Sequence, residues 1–564
     1  MSAFSDKDFR LVTVASACWI VAGTLTASQS SGTSLAAYLG ISAICGVIMF
    51  VSAAGSAVCT YMQYSCLTRL KRILCNAFLC AFVGVIIVLS SFLHARVMLS
   101  DISHEALKPA YSEKITVSAY AVSPMTSSSR RGFTCSVHLR IDVAQIKGIS
   151  QVSSASALLF ISDSNMCTVE DGARYVISGK AQQPRWGREN LWIEVDNKCV
   201  QCVTKTRSPP LWKRGVSYIH QAFLRQTHKL DTSAQILVPG VTMGVMGNDA
   251  VIDATSLTPN DEAASDAQHV ARRIKANFKT AGIMHVLAVS GGHFALASGF
   301  VTWLSRRFLW KRRVRALTII VSIVCVSVLM YPSESLLRAQ VMGTLMAGFT
   351  LLGRRAHSQS ALCWTAIMTL IMDPTVSMSI GFMLSCAAVL GIVALSERCK
   401  AILDHWFTKS WSNAISVTLC AQICTLPITV VLAPDVPVYA VLANMLISIP
   451  MDIATLCGIM SLVTSWISPH IGFGCAWCAG VATTIMARIC EWVATLPCAV
   501  VHCTPIQMCA FYGLGIILGG LLAMLIRGIK RHILFESMYH RTIKEQMRIW
   551  RKDIIAYLTS DSHR

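Results

Sequence analysis

Charged residues are scarce in this chain, and acidic ones are the scarcest. Only 14% of the 564 residues are Asp, Glu, Lys or Arg, whereas 54% are hydrophobic and the mean hydropathy is +0.55. So little charge excludes an ordinary soluble protein, which carries about 25% charged residues. The many apolar runs of about 20 residues instead predict a polytopic α-helical membrane protein with about 12 spans.

Motifs that mark common catalytic chemistries are also missing. The sequence has no HExxH or HxHxDH run for zinc, no G-x-S-x-G turn for a hydrolase and no G-x-x-x-x-G-K-[ST] loop for ATP. We therefore expect no metal, no cofactor and no enzyme activity in this chain. An energy source would then have to be a separate protein.

Most of the 23 cysteines lie in apolar runs, where Cys behaves as a small hydrophobic residue. Four of them lie in a polar segment: Cys135, Cys167, Cys199 and Cys202. On an oxidising side of the membrane these four are candidate disulfide partners, and the sequence allows all their pairings. One of these pairings, Cys135 with Cys167, would join two predicted strands.

The excess of basic residues indicates how the chain is oriented in the membrane. The net charge is +20, and basic turns near 69–72, 306–313, 354–355 and 398–409 alternate with turns that lack Lys and Arg. The positive-inside rule makes the basic turns cytoplasmic, so both termini are expected in the cytoplasm of a multi-pass cell-membrane protein. The remaining excess favours an anionic partner such as nucleic acid or lipid headgroups.

Five segments follow from the change in pattern along the chain. Residues 100–205 contain five short runs with strand-like alternation, which predict a small extracellular all-β domain resembling an OB-like barrel. The next segment shows helical amphipathicity and should lie on the outer surface. The segments are 1–99 (three spans), 100–205 (β-domain), 206–232 (amphipathic helix), 233–527 (transmembrane domain) and 528–564 (basic amphipathic tail on the inner leaflet).

Polar residues interrupt one apolar run, residues 281–300. His285 and His293 lie eight residues apart, with Ser290, Gly291 and Gly292 between them. Polar groups in a span usually face a bundle interior or a water-filled path. The two histidines either line such a path or hold the bundle together by packing.

The same run carries a resemblance to a known family. Residues 282–293 read G-I-M-H-V-L-A-V-S-G-G-H, which resembles the G-L-x-H-L-L-A-[IV]-S-G-x-H signature of the ComEC competence family. Met383 stands where that family usually has Gln, which removes a hydrogen-bonding group from a span. Further motifs follow in the family's order: Leu337-Arg338-Ala339, Gly353-Arg354-Arg355, Gly381-Phe382-Met383-Leu384-Ser385, Gln422 with Leu426-Pro427, and Asn444 with Pro450.

The resemblance implies a channel that passes single-stranded DNA into the cytoplasm during transformation. It implies single-stranded DNA and membrane lipids as partners, with a DNA receptor outside, an ATP-driven motor inside and a separate nuclease. Many members end in a metallo-β-lactamase-like domain, but no metal-ligand motif of that kind is present here. We therefore do not transfer nuclease activity to this chain.

Three groups of residues are expected to meet DNA. Arg338 is the strongest single position, because a charge inside a span needs a partner or a path, and Glu334 one turn earlier is the structural alternative. The β-domain needs basic side chains beside aromatic faces on which bases stack. The groups are the path (Gly282, His285, Ser290, Gly291, Gly292, His293, Arg338, Gln422, Asn444), the entrance (Lys213, Arg214, Arg272, Arg273, Lys275, Lys279) and the β-domain contacts (Arg185, Trp186, Arg188, with Phe133, Tyr175 and Trp192 nearby).

Two other functions fit the same residues. The bundle could carry a small molecule or a lipid-linked substrate. Alternatively, Ser290 with His285 or His293 could form a membrane-embedded hydrolase.

Overall fold

The computed structural model describes residues 14–16, 18–24, 83, 85–91, 93, 114–128, 130, 132–146, 149–163, 167, 169–184, 189–195, 202–247, 261–287, 291–354, 357–432, 435–502, 507 and 547. The chain divides into two compact units. The larger comprises residues 1–426 and 437–501, and the smaller 427–436 and 502–564. Within the smaller unit, His502 lies 2.7 Å from the Asp435 carboxylate.

The polar segment of the larger unit folds into β-strands. Alternate side chains of each strand point inward, as Ile115, Val117, Ala119 and Ala121 do on the first one. The strands are β1 (Lys114–Ala121), β2 (Thr126–Ser127), β3 (Cys135–Ile146), β4 (Ile149–Val152), β5 (Ser156–Ile161), β6 (Arg174–Gln182), β7 (Leu191–Val195) and β8 (Val203–Arg207).

Five of these strands close into a barrel. The order is β1–β3–β5–β7–β6, and β6 pairs back onto β1. All pairings in the ring are antiparallel except β5 with β7, which is parallel. The five strands predicted from the sequence are the five that form the closed ring. The sequence patterns missed the short strands β2, β4 and β8, which only extend its edges.

The remaining described chain is helical. Residues 14–16, 18–24, 83, 85–91 and 93 are helical where they are described. The numbered helices are α1 (Leu211–Thr227), α2 (Thr232–Met243), α3 (Asp261–Thr280), α4 (Gly291–Arg307), α5 (Arg312–Leu329), α6 (Glu334–Leu351), α7 (Ser358–Met372), α8 (Ile380–Leu403), α9 (Lys409–Leu432), α10 (Ala440–Thr464) and α11 (Pro469–Ala494). Two 3₁₀ turns, Met284–Leu287 and Pro374–Met378, precede α4 and α8, and the short strands β9 (Asp435–Pro437) and β10 (Val500–His502) flank α10 and α11.

Within the described residues, four helices are long and apolar enough to cross a membrane: α8, α9, α10 and α11. Their exposed faces are apolar, as in Leu446, Ile449 and Trp477. These helices and the β-barrel agree with a membrane protein that carries a β insert. The predicted spans at 35–58 and 506–527 and the tail at 528–564 lie almost wholly outside the described residues, so the count of about 12 spans stays a prediction.

The helix α10 turns back into α11, and this hairpin is the frame of the bundle. Ser461 donates a 2.8 Å hydrogen bond to the carbonyl of Gly472 at the turn, and Tyr439 donates a 3.0 Å bond to Pro497 at the other end. The helices α1, α2 and α3 pack along the hairpin. Residues 236–252 are apolar and Gly-rich but interrupted by Pro239, a pattern that predicts a re-entrant segment; residues 236–243 belong to α2, a helix too short to cross a membrane.

Candidate functional site

Arg338 lies in a polar group between α6 and α8. Its side chain is almost fully buried, at 5% exposure, and its Nε donates a 2.6 Å hydrogen bond to Oγ of Ser385. The hydroxyl of Ser335 lies 3.1 Å from the same oxygen. Both helices begin close by, because Ser333 caps α6 and Ser379 caps α8 through their side-chain oxygens. Arg338 also donates a longer bond of 3.8 Å from Nη1 to Sδ of Met342, and no described hydrogen bond or ion pair joins it to Glu334.

The guanidinium of Arg338 also approaches the first residue of α4. A Cβ placed on Gly291 would lie 3.6 Å from Nη2 of Arg338 and 3.8 Å from the Cβ of Ala339. The first N–H groups of a helix lack intrahelical acceptors and carry a partial positive charge. A guanidinium beside such a helix start forms a positively charged site in the bundle that favours an anion of phosphate size.

The two histidines of the central run have different surroundings. His293 is 3% exposed, and its Nε2 donates a 2.9 Å hydrogen bond to the carbonyl of Val241, which ties α4 to α2. His285 is exposed although protein surrounds it on most sides. His293 therefore holds two helices together, whereas the described contacts include no hydrogen bond from the side chain of His285.

Gly282 begins the approach to that run. Its φ is +74°, and an added Cβ would lie 2.6 Å from Cγ of Pro437 and 2.7 Å from Cβ of Ala440. Glycine is the residue that accepts both the left-handed backbone and the close contact. Ser290 lies outside the described residues. Gly292 is exposed in the first turn of α4.

Gln422 and Asn444 do not join the Arg338 group through any described contact. The Nδ2 of Asn444 donates a 2.9 Å hydrogen bond to the carbonyl of Ala440 on its own helix. Gln422 is half-buried on α9. The structure thus brings Gly291 and Arg338 together and places these two amides elsewhere along the bundle.

Lys213 and Arg214, from the predicted entrance, connect α1 to neighbouring segments. The Nζ of Lys213 lies 2.8 Å from the carboxylate of Asp171 in the turn before β6. Arg214 donates a 2.9 Å hydrogen bond from Nε to the carbonyl of Pro209. Both cations are therefore engaged within the chain, and the Lys213 pair holds the barrel against α1.

His220 extends the same junction between barrel and bundle. Its Nε2 donates a 2.9 Å hydrogen bond to the carbonyl of Leu329, and its ring lies 4.9 Å from that of Tyr331. Burial lowers the pKa of His220, while the carbonyl of Leu329 and the charge of Asp171 act in the opposite direction. A neutral imidazole that donates from Nε2 suits this position.

The other four entrance residues lie on α3, which packs against α11. Arg273 pairs with Glu491 at 2.5 Å and keeps its side chain 72% exposed. Ala271, Ile274 and Phe278 form the buried face of α3. Arg272 and Lys279 are exposed and Lys275 is half-buried, so the opposite side of the helix is a basic surface.

The α5–α6 turn and the helix α3 lie at different levels along the α10–α11 hairpin. Thr242 of α2 lies against Gly458, because a Cβ added to Gly458 would be 2.1 Å from Oγ1 of Thr242. The next residue, Met243, accepts a hydrogen bond from the N–H of Tyr331, so the α5–α6 turn lies at the level of Gly458. Gly458 is near the turn of the hairpin, whereas Glu491 is near its far end. At 1.5 Å per residue the two levels differ by roughly 20 Å. The basic surface of α3 is therefore far from the α5–α6 turn and from the barrel, and the two parts of the predicted entrance are not one cluster.

The same contacts depart from the predicted alternation of sides. The predicted succession of spans puts the turns at 332–334 and 465–470 on opposite faces of the membrane, but Thr242 and Tyr331 bring the end of α10 to the level of the α5–α6 turn. The turn between α10 and α11 contains no Lys or Arg. The positive-inside rule therefore had no information at that turn.

A cavity of about 1190 Å³ lies between the barrel and the helices. Its barrel wall includes His138 and Arg140 of β3 and Ser156 of β5, and its helical wall includes Glu334 and Gly381 at the starts of α6 and α8. This volume exceeds the roughly 300–1,000 Å³ of ordinary ligand pockets. Sequence reasoning did not predict that these residues line one cavity, because they come from strands and helix ends that are far apart in the chain.

Arg130 forms the centre of a closed cluster on the barrel. Its guanidinium lies 5.1–5.4 Å from the rings of Phe133, Phe160 and Trp192, and it pairs with Glu194. Trp192 is 1% exposed and Tyr175 is 4% exposed. The expectation that Phe133, Tyr175 and Trp192 offer faces to bases is therefore wrong for Trp192 and Tyr175, because both pack inside the domain. Arg185, Trp186 and Arg188 lie outside the described residues.

Cys135 and Cys167 form a disulfide, which confirms one of the predicted pairings. It joins the start of β3 to the segment between β5 and β6. Cys202 is also disulfide-bonded, and Cys199 lies outside the described residues. Within the described residues, no group of three or more His, Cys, Asp or Glu side chains could hold a metal ion.

These features define a multi-helix membrane protein with a closed β-barrel attached to its helical bundle. Residues 263–527 match the family model described as Competence protein. A stretch of 181 residues is 24% identical to ComE operon protein 3 of Bacillus subtilis (strain 168) and covers 32% of this chain. That stretch spans only 23% of the length of this relative.

The family model and the Bacillus subtilis relative both confirm the resemblance carried by the motif at 282–293. No solved structure matches the chain significantly.

Proposed function

We propose that this protein takes part in DNA uptake as a membrane channel that passes single-stranded DNA into the cytoplasm. The observation that carries the proposal is the meeting of the Arg338 guanidinium with the start of α4 at Gly291. Both groups attract a phosphate, and the surrounding hydroxyls of Ser335 and Ser385 are uncharged. A pore for a polyanion needs sites of this kind that attract the ion and still release it.

The barrel supports the same proposal. Its five-stranded closed ring with one parallel pairing suits an OB-type barrel, in which the face of the second and third strands binds oligonucleotides. The second and third barrel strands here are β3 and β5, and both line the cavity next to the helices. A DNA strand bound on this face would lie next to the starts of α6 and α8, one turn from Arg338.

The basic surface on α3 then belongs to the far end of the path. Arg312, at the start of α5, lies at the opposite end of that helix from Tyr331, so the basic turn between α4 and α5 shares this far end with α3. If basic turns face the cytoplasm, α3 meets the strand as it leaves. A receptor that delivers DNA to the barrel, a motor and a nuclease remain separate partners in this proposal.

Oligonucleotide binding by the full chain in lipid nanodiscs tests the proposal. We expect a fluorescent single strand to bind at low salt, and its Kd to weaken by about 100-fold or more between about 50 mM and about 200 mM salt, because bound phosphates release counterions. Arg140→Gln, in the cavity wall, should weaken binding and lower the salt slope by about one unit. Lys205→Gln is the matched control, because Lys205 lies on the edge strand β8, outside the cavity wall, and pairs with Glu170.

Absence of binding at low salt would favour the alternative of a small-molecule or lipid-linked transporter. If Arg140→Gln and Lys205→Gln weaken oligonucleotide binding equally, the cavity is not the binding face. Binding that does not respond to salt would contradict a phosphate-based path.

A further inference from the structure

A polar stripe runs along one side of the apolar helix α10. Asn444, Ser448 and Asp452 follow one another at intervals of four residues, and Thr455 comes three residues later. This spacing puts all four on one side of a helix. The rest of α10 is apolar enough for a central mean hydropathy of 1.9, and Asp452 is its one charged residue.

Asp452 lies at the middle of the span. It is twelve residues from Ala440 and twelve from Thr464, about 18 Å from either end at 1.5 Å per residue. A carboxylate at this depth is costly in hydrocarbon, and such residues usually belong to an ion or proton pathway.

The side chain of Asp452 is exposed, and the described part of the chain provides no hydrogen bond or ion pair to it. Among the described helices, α1, α2 and α11 pack most extensively on α10. α2 contains no ionisable residue, and none of those on the other two, such as Arg225, Arg488 and Glu491, is an electrostatic partner of the Asp452 carboxyl. Among the described residues, the carboxyl is therefore neither neutralised by a cation nor held by a structural bond.

Other polar atoms continue the stripe on the N-terminal side of Asp452. Ser448 and Asn444 donate to carbonyls of their own helix, which leaves their oxygens able to accept. Pro450 has no N–H, so the carbonyl of Leu446 loses its usual helical donor. Four residues rise about 6 Å, a gap that one water can bridge with two hydrogen bonds of about 2.8 Å each.

We propose that Asp452 is a proton-binding site and that the polar stripe of α10 conducts protons across the bundle. The carboxylate takes a proton from water or hydronium on one side and releases it to water on the other, so only O–H bonds form and break. This function does not depend on DNA as the substrate. It would give a membrane translocator a means to respond to the proton gradient.

Labelling with dicyclohexylcarbodiimide tests the protonation. This apolar reagent adds across a protonated carboxyl group in the membrane and leaves an N-acylurea adduct, with no group lost. In membranes that contain the full chain, we expect an adduct on Asp452 that declines as the pH rises from about 5 to about 9, the range in which a carboxyl in apolar surroundings titrates. Asp452→Asn should remove the adduct, whereas Glu397→Gln, near the end of α8, should not.

Proton flux provides the second measurement. The purified chain is placed in phosphatidylcholine and phosphatidylglycerol vesicles with an internal pH dye, and a potassium diffusion potential drives protons inward. We expect flux above protein-free vesicles, a decrease of about tenfold or more in Asp452→Asn, and retained flux in Asp452→Glu, because the carboxyl is the carrier. Asn has the size of Asp without its charge, so this variant should insert normally.

Failure of Asp452 to react at low pH would overturn the proposal. Equal flux in the wild type and in Asp452→Asn would overturn it as well. Neither result would bear on oligonucleotide binding, which rests on Arg338, Arg140 and the barrel.

Discussion

Arg338 on α6 donates a 2.6 Å hydrogen bond from Nε to Oγ of Ser385 on α8. This bond crosses between two helices that both start beside the cavity under the barrel. It orients the guanidinium, so that Nη2 approaches the first residue of α4. A cation held by a neutral hydroxyl keeps its full charge, in contrast to one neutralised by a carboxylate.

Replacement of Arg338 should therefore impair DNA uptake. We expect Arg338→Gln to lower uptake of labelled DNA by about tenfold or more, since a hydrogen bond to a charged group contributes about 1.5–3 kcal/mol. Arg338→Lys should be intermediate, because an ammonium group keeps the charge but cannot reach two sites at once. The measurement is cell-associated, nuclease-protected DNA, normalised to the amount of the protein in the membrane.

Arg313→Gln is the control for Arg338, since Arg313 is exposed in the first turn of α5. Wild-type uptake by Arg338→Gln at normal abundance would remove Arg338 from the path.

Gly282 should tolerate no side chain. Gly282→Ala puts a Cβ within 2.7 Å of Pro437 and Ala440 and needs a left-handed backbone at a non-glycine residue. The backbone cost alone is about 1–2 kcal/mol, and the clash adds to it. We expect a lower thermal midpoint for the purified chain and less uptake. In Gly299→Ala the new Cβ meets nothing within 4 Å, so this variant should match the wild type or exceed it slightly.

The disulfide between Cys135 and Cys167 should stabilise the barrel. Cys135→Ser is expected to lower the free energy of unfolding of the barrel by about 2–4 kcal/mol, because the unfolded chain loses the constraint of a closed loop. Limited proteolysis of the full chain measures this, with cleavage in β1–β7 as the readout. Cys325→Ser removes an exposed free thiol of α5 and should leave the cleavage rate unchanged. Equal rates in the two variants would contradict a stabilising role.

Ser290 distinguishes the channel from a membrane-embedded hydrolase. If Ser290 were a nucleophile activated by a histidine, a fluorophosphonate probe would label it covalently, and Ser290→Ala would abolish labelling. We expect no labelling, because His293 is bonded to the carbonyl of Val241 and the sequence around Ser290 lacks the G-x-S-x-G pattern of a hydrolase. Specific labelling of the wild type but not of Ser290→Ala would support the hydrolase instead.

Local patterns explain which parts of the fold were predictable. The strand Lys114–Ala121 alternates apolar and polar residues, and the alternation places Ile115 and Val117 in the core wherever the strand sits. The helices α8 to α11 follow in the same way from largely apolar runs of span length. The family resemblance rests on residues that are close together in sequence, such as His285 to His293.

The basic surface on α3 is a feature whose position the local sequence patterns did not predict. Arg272 and Arg273 read as an entrance because they precede the Gly-rich run in sequence. Their distance from Lys213 depends on how α3 packs along α11, and Glu491, more than 200 residues later, sets that position. Charge patterns also say nothing about the turn between α10 and α11, which has no Lys or Arg.

The sequence by itself determined the class of this protein, its five barrel strands, its apolar helices and its family, because periodicity, hydropathy and short motifs are local properties. Tertiary structure alone decided that Arg338 meets Ser385 and Gly291, that Cys135 pairs with Cys167, and that a cavity joins β3 and β5 to the helices. It also decided that Trp192 and Tyr175 are buried. Each of these depends on residues from distant segments, whose approach is set by packing and by the closure of the barrel.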